Sequence, residues 1–410
     1  MDRDGMLKIF TDLDCVHRSG TAEELAAAEY LKNECEKLGV SARVEAFPVP
    51  MAEIEEAHVY ADGVEIPAKG LFLCGSGEAE GELYYMPATD RVSMSKAKDK
   101  IVLMDTLGIR RFDYQDIVKA GAKGLLFQYG NMYHPFKDID ERDLRPAVVG
   151  DEKKLISAML NAGTAVELVK KGVKRVKIVV RQREYEGESH NVVAEIPGKR
   201  DEFITMTAHY DTVSNSHGSY DNLSGCVGLL GVMEALMKKE LNYGLRFVFC
   251  GSEERGLLGS KAYVASREEE LEKIPLNINL DMIGSVMGRF ISCVSAEEKL
   301  EGYVSYLAAE LGFPVSSRVG VYSSDSTPFA DKGVPAISFA RIARGDVAPI
   351  HCRLDTPELM SMEQLEKDIG FITEFTRRMA CSAVCPVSRE IPEKVKKDLD
   401  EYLYRKRPEH

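Results

Sequence analysis

Apolar residues recur along this chain at two spacings, and the dominant spacing changes with position. In residues 21–39, Leu25, Ala28, Leu31, Cys35 and Leu38 fall three or four apart, the period of a helix buried along one face. Thr21 and Glu24 stand at the spacing of a capping box, and Gly39 suits a left-handed stop. A short strand at 42–47 follows, which Pro48 and Pro50 are expected to interrupt. From about residue 49 to 186 the pattern shifts to short β-branched runs, at 101–104, 125–128, 147–149 and 176–180. Helical spacing returns there at 114–120 and 152–162. From His190 onward strands and helices alternate. Strands are predicted at 191–196, 203–208, 245–250, 276–280 and 336–340. Helices are predicted at 225–238, from 260, at 296–311 and at 361–378, with a charged terminal helix over 394–410. Such alternation predicts an α/β fold, a mixed, mostly parallel sheet sandwiched by helices.

A chain of 410 residues exceeds the ~250–300 at which one core stops growing, so two domains are expected. The boundaries fall where the pattern changes: 1–46 with 187–410 as a discontinuous main domain, and 47–186 as a small α+β, β-rich insert. The composition, 44% hydrophobic and 29% charged, is that of a globular protein rather than a disordered one. A net charge of -13 excludes nonspecific nucleic-acid binding, which needs a basic surface. No apolar stretch approaches the ~20 residues of a membrane span, and the first residues lack the apolar core of a secretory leader. The nine cysteines are odd in number and scattered, with Cys226, Cys250 and Cys293 inside apolar runs. Free buried thiols in the cytoplasm account for this better than a disulfide framework. Cys381 and Cys385 lie four apart without a flanking His or Cys at zinc spacing, and are read as a helix face.

The second half holds five residues of metal-ligand type: His209, Asp221, Glu254, Asp281 and His351. In open α/β sheets ligands bind beyond the carboxyl ends of the strands. His209, the Glu253-Glu254 pair and Asp281 each follow an apolar strand. Taken singly, each has a plainer explanation: a polar turn for His209-Tyr210-Asp211, a helix cap for Asp221, a solvated acidic loop for Glu253-Glu254. Three strand ends delivering such residues together point to a metal centre. Asp211 stands two residues beyond His209, where a carboxylate can hold a metal-bound imidazole by its second nitrogen. Asp355 stands four beyond His351. Oxygen and imidazole donors suit zinc, with cobalt or manganese as substitutes. Two divalent ions balance Asp221, Glu254, Asp281 and one hydroxide, which closes the cluster neutral and leaves Glu253 spare.

The ordered set AHYDTV, SYDNLSG, GSEERGLLGS, NLDMIG, SDSTPF and IHCRLDT resembles the M28 family of zinc aminopeptidases. The likeness takes in the N-terminal helix and residues 187–380. The insert is similar to a protease-associated (PA) domain, through DKIVLMDT, AGAKGLLFQYGN and RPAVVG. The resemblance implies a zinc-exopeptidase, phosphorylase/hydrolase-like fold and two zinc ions. It implies that His209 and Asp281 hold one ion, Glu254 and His351 the other, and that Asp221 bridges them. Glu253 is then the general base and Asp211 orients His209. The implied reaction removes N-terminal residues from short peptides through a metal-bridging hydroxide. One departure stands out: many members carry His where this chain has Ser326.

Other activities on the same scaffold are carboxypeptidase-like or N-acyl hydrolysis, for which Arg341, Arg344 and Arg353 are candidate carboxylate clamps, and glutaminyl cyclisation with one zinc. The rival of another class is a non-catalytic binding protein that uses the insert as its surface.

Overall fold

The computed structural model describes residues 1–133 and 136–408. The chain divides into two compact units, Met1–Val49 with Glu188–Pro408, and Pro50–Gly187.

The first unit is built on four parallel strands. In spatial order they are Ala336–Ile342, Asn277–Leu280, Phe203–His209 and Gly244–Cys250. Arg289–Ser295 pairs antiparallel with Ala336–Ile342 and carries Ser316–Val319 parallel on its outer side. At the opposite flank the last residues of Arg175–Ile196 pair antiparallel with Gly244–Cys250. The fold is therefore mixed α/β with a mostly parallel sheet. The central strands read as unbroken apolar runs because both faces are covered. All seven residues of Gly244–Cys250 are buried. The helix Ser224–Leu236 is mostly apolar, and eleven of its residues are buried, as a helix lodged in the core requires.

Beside this sheet, Phe290, Phe313, Phe339, Phe371 and Phe375 pack ring against ring. Phe313 stacks on Phe371 at 4.7 Å, and Phe339 meets Phe375 edge-on at 5.3 Å. Phe339 lies in the strand that pairs with Asn277–Leu280, one residue short of Asp281 in register. Phe339→Ala is expected to cost about 3–5 kcal/mol, read as a lowered urea midpoint with unchanged slope.

Several elements differ from the sequence reading. Residues 152–161 form no helix. Ile156–Asn161 is a strand parallel to Gly124–Tyr129, and the helix begins at Ala162 and runs to Lys170. Here partner strands overrode a local helical spacing. Pro48 and Pro50 do not end the first strand, which runs Ala42–Ala61. That strand lies off the main path of pairing, where a missing N–H is tolerated. Arg289–Ser295 and Ser316–Val319 were not legible as strands. Residues 147–149 belong to a short helix, Pro146–Val149. The terminal helix is Glu393–Tyr402, and the last two residues of the segment read as its extension lie outside the described residues.

In the second unit, Gly77–Met86, Lys100–Met104, Gly124–Tyr129 and Ile156–Asn161 run parallel in that order. The first residues of Arg175–Ile196 flank one edge antiparallel, and Lys69–Gly70 the other. Helices Arg111–Lys119 and Ala162–Lys170 connect the strands. Among the described residues no helix is long and apolar enough to cross a membrane.

Candidate metal centre

Parallel strands that start in register end in register, so their carboxyl ends gather on one edge. His209 is the last residue of its strand and lies opposite Cys250 in the ladder. Glu253 and Glu254 follow Cys250 by three and four residues, and Asp281 follows Leu280. Asp221 arrives from the turn Ser219–Leu223 that leads into the buried helix. His351 arrives from a loop and sits in the left-handed region at φ 58°.

These residues form two groups whose donor atoms lie within 4.8 Å of one another. One is His209, Asp221 and Asp281; the other is Asp221, Glu254 and His351. Asp221 belongs to both. Its Oδ1 is 3.2 Å from His209 Nε2, and its Oδ2 is 3.0 Å from His351 Nε2. His351 Nε2 is 2.9 Å from Glu254 Oε1, and His209 Nε2 is 3.9 Å from Asp281 Oδ1.

The electrostatics are those of crowded acids. Burial, with Asp221, Asp325 and Glu254 nearby, pushes Asp281 up to about 8. Burial also raises Glu253 well above the carboxylate range, helped by Glu254 and Asp325. Burial opposes ionisation of Asp221 too, but the His209 and His351 imidazoles hold it well below its usual value. Those imidazoles are in turn held well above theirs, against burial, by Asp211 and Asp221 for His209 and by Glu254 and Asp221 for His351. Buried carboxylates this close repel one another unless a cation lies between them. Two triads of oxygen and imidazole donors sharing one carboxylate therefore fit two divalent ions of the zinc type.

Second contacts fix the geometry. Asp211 takes the backbone amides of Glu253 and Glu254 on its two oxygens, at 2.8 and 3.2 Å. His209 Nδ1 is 3.2 Å from the Asp211 carbonyl oxygen and 3.6 Å from its carboxylate. Asp211 thus reaches both the imidazole and the acidic loop, and burial raises it to about 6. Asp355 accepts the amides of Tyr220 and Asp221, at 2.6 and 3.1 Å. Asn222 donates to Leu280 O and accepts from Met282 N, so it grips the chain on both sides of Asp281. Sequence reasoning missed this clamp. It also missed Tyr322, whose phenol burial pushes up, with Asp281 and Asp221 adding to the shift.

Gly225 is needed for closeness. A Cβ there would lie 2.5 Å from both Leu280 O and Asn222 Oδ1. Gly225→Ala is expected to cost about 1–3 kcal/mol through overpacking and to lower zinc affinity by displacing Asn222. Metal titration of the purified variant checks this.

The three arginines split. Arg341 is buried and forks onto Asp368, with bonds of 2.8 and 2.6 Å. It is neither a surface residue nor free to clamp a substrate. Arg344 pairs with Asp346 at an exposed site, and Arg353 is exposed.

Residues 191–372, which hold every member of both triads, match the sequence model of peptidase family M28. The chain is an enzyme of the metallopeptidase kind. Aminopeptidase YwaD of Bacillus subtilis is 27% identical over 87% of this chain and 79% of its own length. Among solved structures, BSAP, a zinc aminopeptidase from Bacillus subtilis, matches with a TM-score of 0.78 at 20% identity, over 96% of this chain and 98% of its own. The aminopeptidase from Aneurinibacillus sp. strain AM-1 matches with a TM-score of 0.73 at 21% identity, over 94% and 96%.

Proposed function

We propose that this M28 enzyme is a co-catalytic aminopeptidase that removes N-terminal residues from short peptides with two zinc ions. The observation that carries the reading is the sharing of Asp221 between two donor triads. His209 and Asp281 would hold one ion, Glu254 and His351 the other, and Asp221 both. Cobalt and manganese suit the same donors. Bound there, the ions would lower the pKa of a water toward ~7 and polarise the scissile carbonyl.

Glu253 is the base in this reading. Its carboxylate has no hydrogen-bond partner among the described residues, whereas its amide is fixed by Asp211. A spare carboxylate on a fixed backbone takes the proton of the attacking water and returns it to the leaving amine. Asp211 orients His209 and holds the Glu253-Glu254 loop at once. The relatives' printed names, aminopeptidase YwaD and zinc aminopeptidase, support a free α-amine as the recognised end. The Arg341–Asp368 pair speaks against a carboxypeptidase clamp at that residue. Complete donor sets speak against a one-zinc cyclase and a non-catalytic binding protein. The Pro50–Gly187 unit is read as a PA-like insert, and the protein as cytoplasmic.

Leucine p-nitroanilide and its N-acetyl derivative separate the activities. The free-amine substrate is expected to be cleaved and the blocked one not. Cleavage of the blocked substrate alone would replace this reading with N-acyl hydrolysis.

A further inference from the structure

We propose that Glu24 is a positioning residue for Glu253, acting through the buried hydroxyls of Ser189 and Ser252, with Ser19 joined to the chain beyond Ser252. This rests on the reading of Glu253 as general base.

The capping-box spacing placed Glu24 as a local helix cap. The structure uses it otherwise. Thr21 Oγ1 does accept the amide of Glu24, but Thr21 N donates to Arg18 O. The Glu24 carboxylate is completely buried and turns toward the sheet. Oε2 accepts Gly20 N at 2.8 Å. Oε1 accepts Ser189 Oγ at 2.5 Å, Tyr210 OH at 3.2 Å and His190 N at 3.3 Å. The His190 ring lies 3.8 Å from Oε2, and its pKa is raised by Glu24. Several donors and a neighbouring imidazole make burial of this carboxylate tolerable.

The chain of hydroxyls has one direction. Ser189 donates to Glu24, and Ser252 donates to Ser189 at 2.7 Å. Ser252 has then used its only proton, so Ser19, which also touches Ser252, is the donor in that contact. Ser19, Ser189 and Ser252 are all buried. Aligned hydroxyls that end on a carboxylate polarise and strengthen one another.

Ser252 immediately precedes the Glu253-Glu254 pair and has φ 56°. A non-glycine residue there is strained, and glycine is the residue that relieves it. A serine kept in that conformation, with its hydroxyl in a one-way chain, points to a task for the hydroxyl. The loop is pressed against the same carboxylate at Gly251, where a Cβ would lie 2.5 Å from Glu24 Oε1 and 2.4 Å from His190 O. Asp211 fixes the amides of Glu253 and Glu254, and the Glu24 chain fixes the residue before them. Tyr210, between His209 and Asp211, shares the Glu24 anchor. One buried carboxylate thus sets the loop bearing the base relative to the strand end bearing His209.

The test compares Ser252→Gly, Ser189→Ala and Glu253→Gln by kcat, KM, zinc content and melting temperature on leucine p-nitroanilide. Ser252→Gly removes the hydroxyl while relieving the backbone, so its melting temperature is expected to hold. Its kcat is expected to fall on the order of 10–100-fold, the scale of an ångström-level misplacement, with KM and zinc unchanged. Ser189→Ala breaks the chain at its middle and is expected to show the same split. Wild-type kcat in either folded variant overturns the proposal. So does loss of folding in both, which would make the chain structural only. The base reading fails separately: an active Glu253→Gln enzyme removes it, whereas an inactive Glu253→Gln beside a fully active Ser252→Gly removes only the positioning role.

Discussion

Glu253→Gln will bind its zinc, keep its melting temperature and lose about 10³-fold in kcat. The direction follows from what the side chain does not touch. Both triads are complete without it, so zinc content should not change. Its backbone amide is held by Asp211 whichever group the side chain carries. Gln has nearly the same shape but takes no proton, so only the proton transfer is removed. KM should stay within a few-fold, because a group acting only in the transition state leaves substrate binding alone. The raised pKa of Glu253 without metal comes from burial among other acids. Cations on its neighbours reverse that repulsion, so the base is expected to be ionised in the zinc-loaded enzyme near neutral pH.

Asp221→Asn will lose zinc as well as turnover. Asp221 is the one residue in both triads, and each of its oxygens faces a different imidazole. Asn keeps one acceptor and turns the other toward a histidine as an NH2, which repels a cation. Zinc per chain is expected to drop, and kcat to fall by at least ~10²-fold, the scale of removing one preorganised electrostatic contact. The contrast with Glu253→Gln is the useful result: one variant is inactive and loaded, the other inactive and depleted.

Much of this centre was legible because the residues sit where a parallel sheet must deliver them. His209, Glu254 and Asp281 each follow an apolar run, and the ladder pairing of Cys250 with His209 gathers those ends. What could not be read was which distant groups hold them. Asp355 lies 134 residues from Asp221 in the chain, and their contact is backbone to side chain. Glu24 lies 165 residues from Ser189. No local pattern announces such pairs. Glu24 was assigned its local role, a cap, because that accounts for the residue without its tertiary partners. The second unit failed differently. Apolar residues at 156–161 satisfy a helical spacing as well as a buried strand, and only pairing with Gly124–Tyr129 decides between them. The prolines misled because their penalty depends on whether a partner needs their missing N–H.

Metal content measured together with activity tests the central claim most directly. The purified enzyme, dialysed against a chelator and then titrated with zinc, is expected to regain activity as the second equivalent per chain binds. Full activity in the zinc-free protein, or saturation at one equivalent, would contradict it.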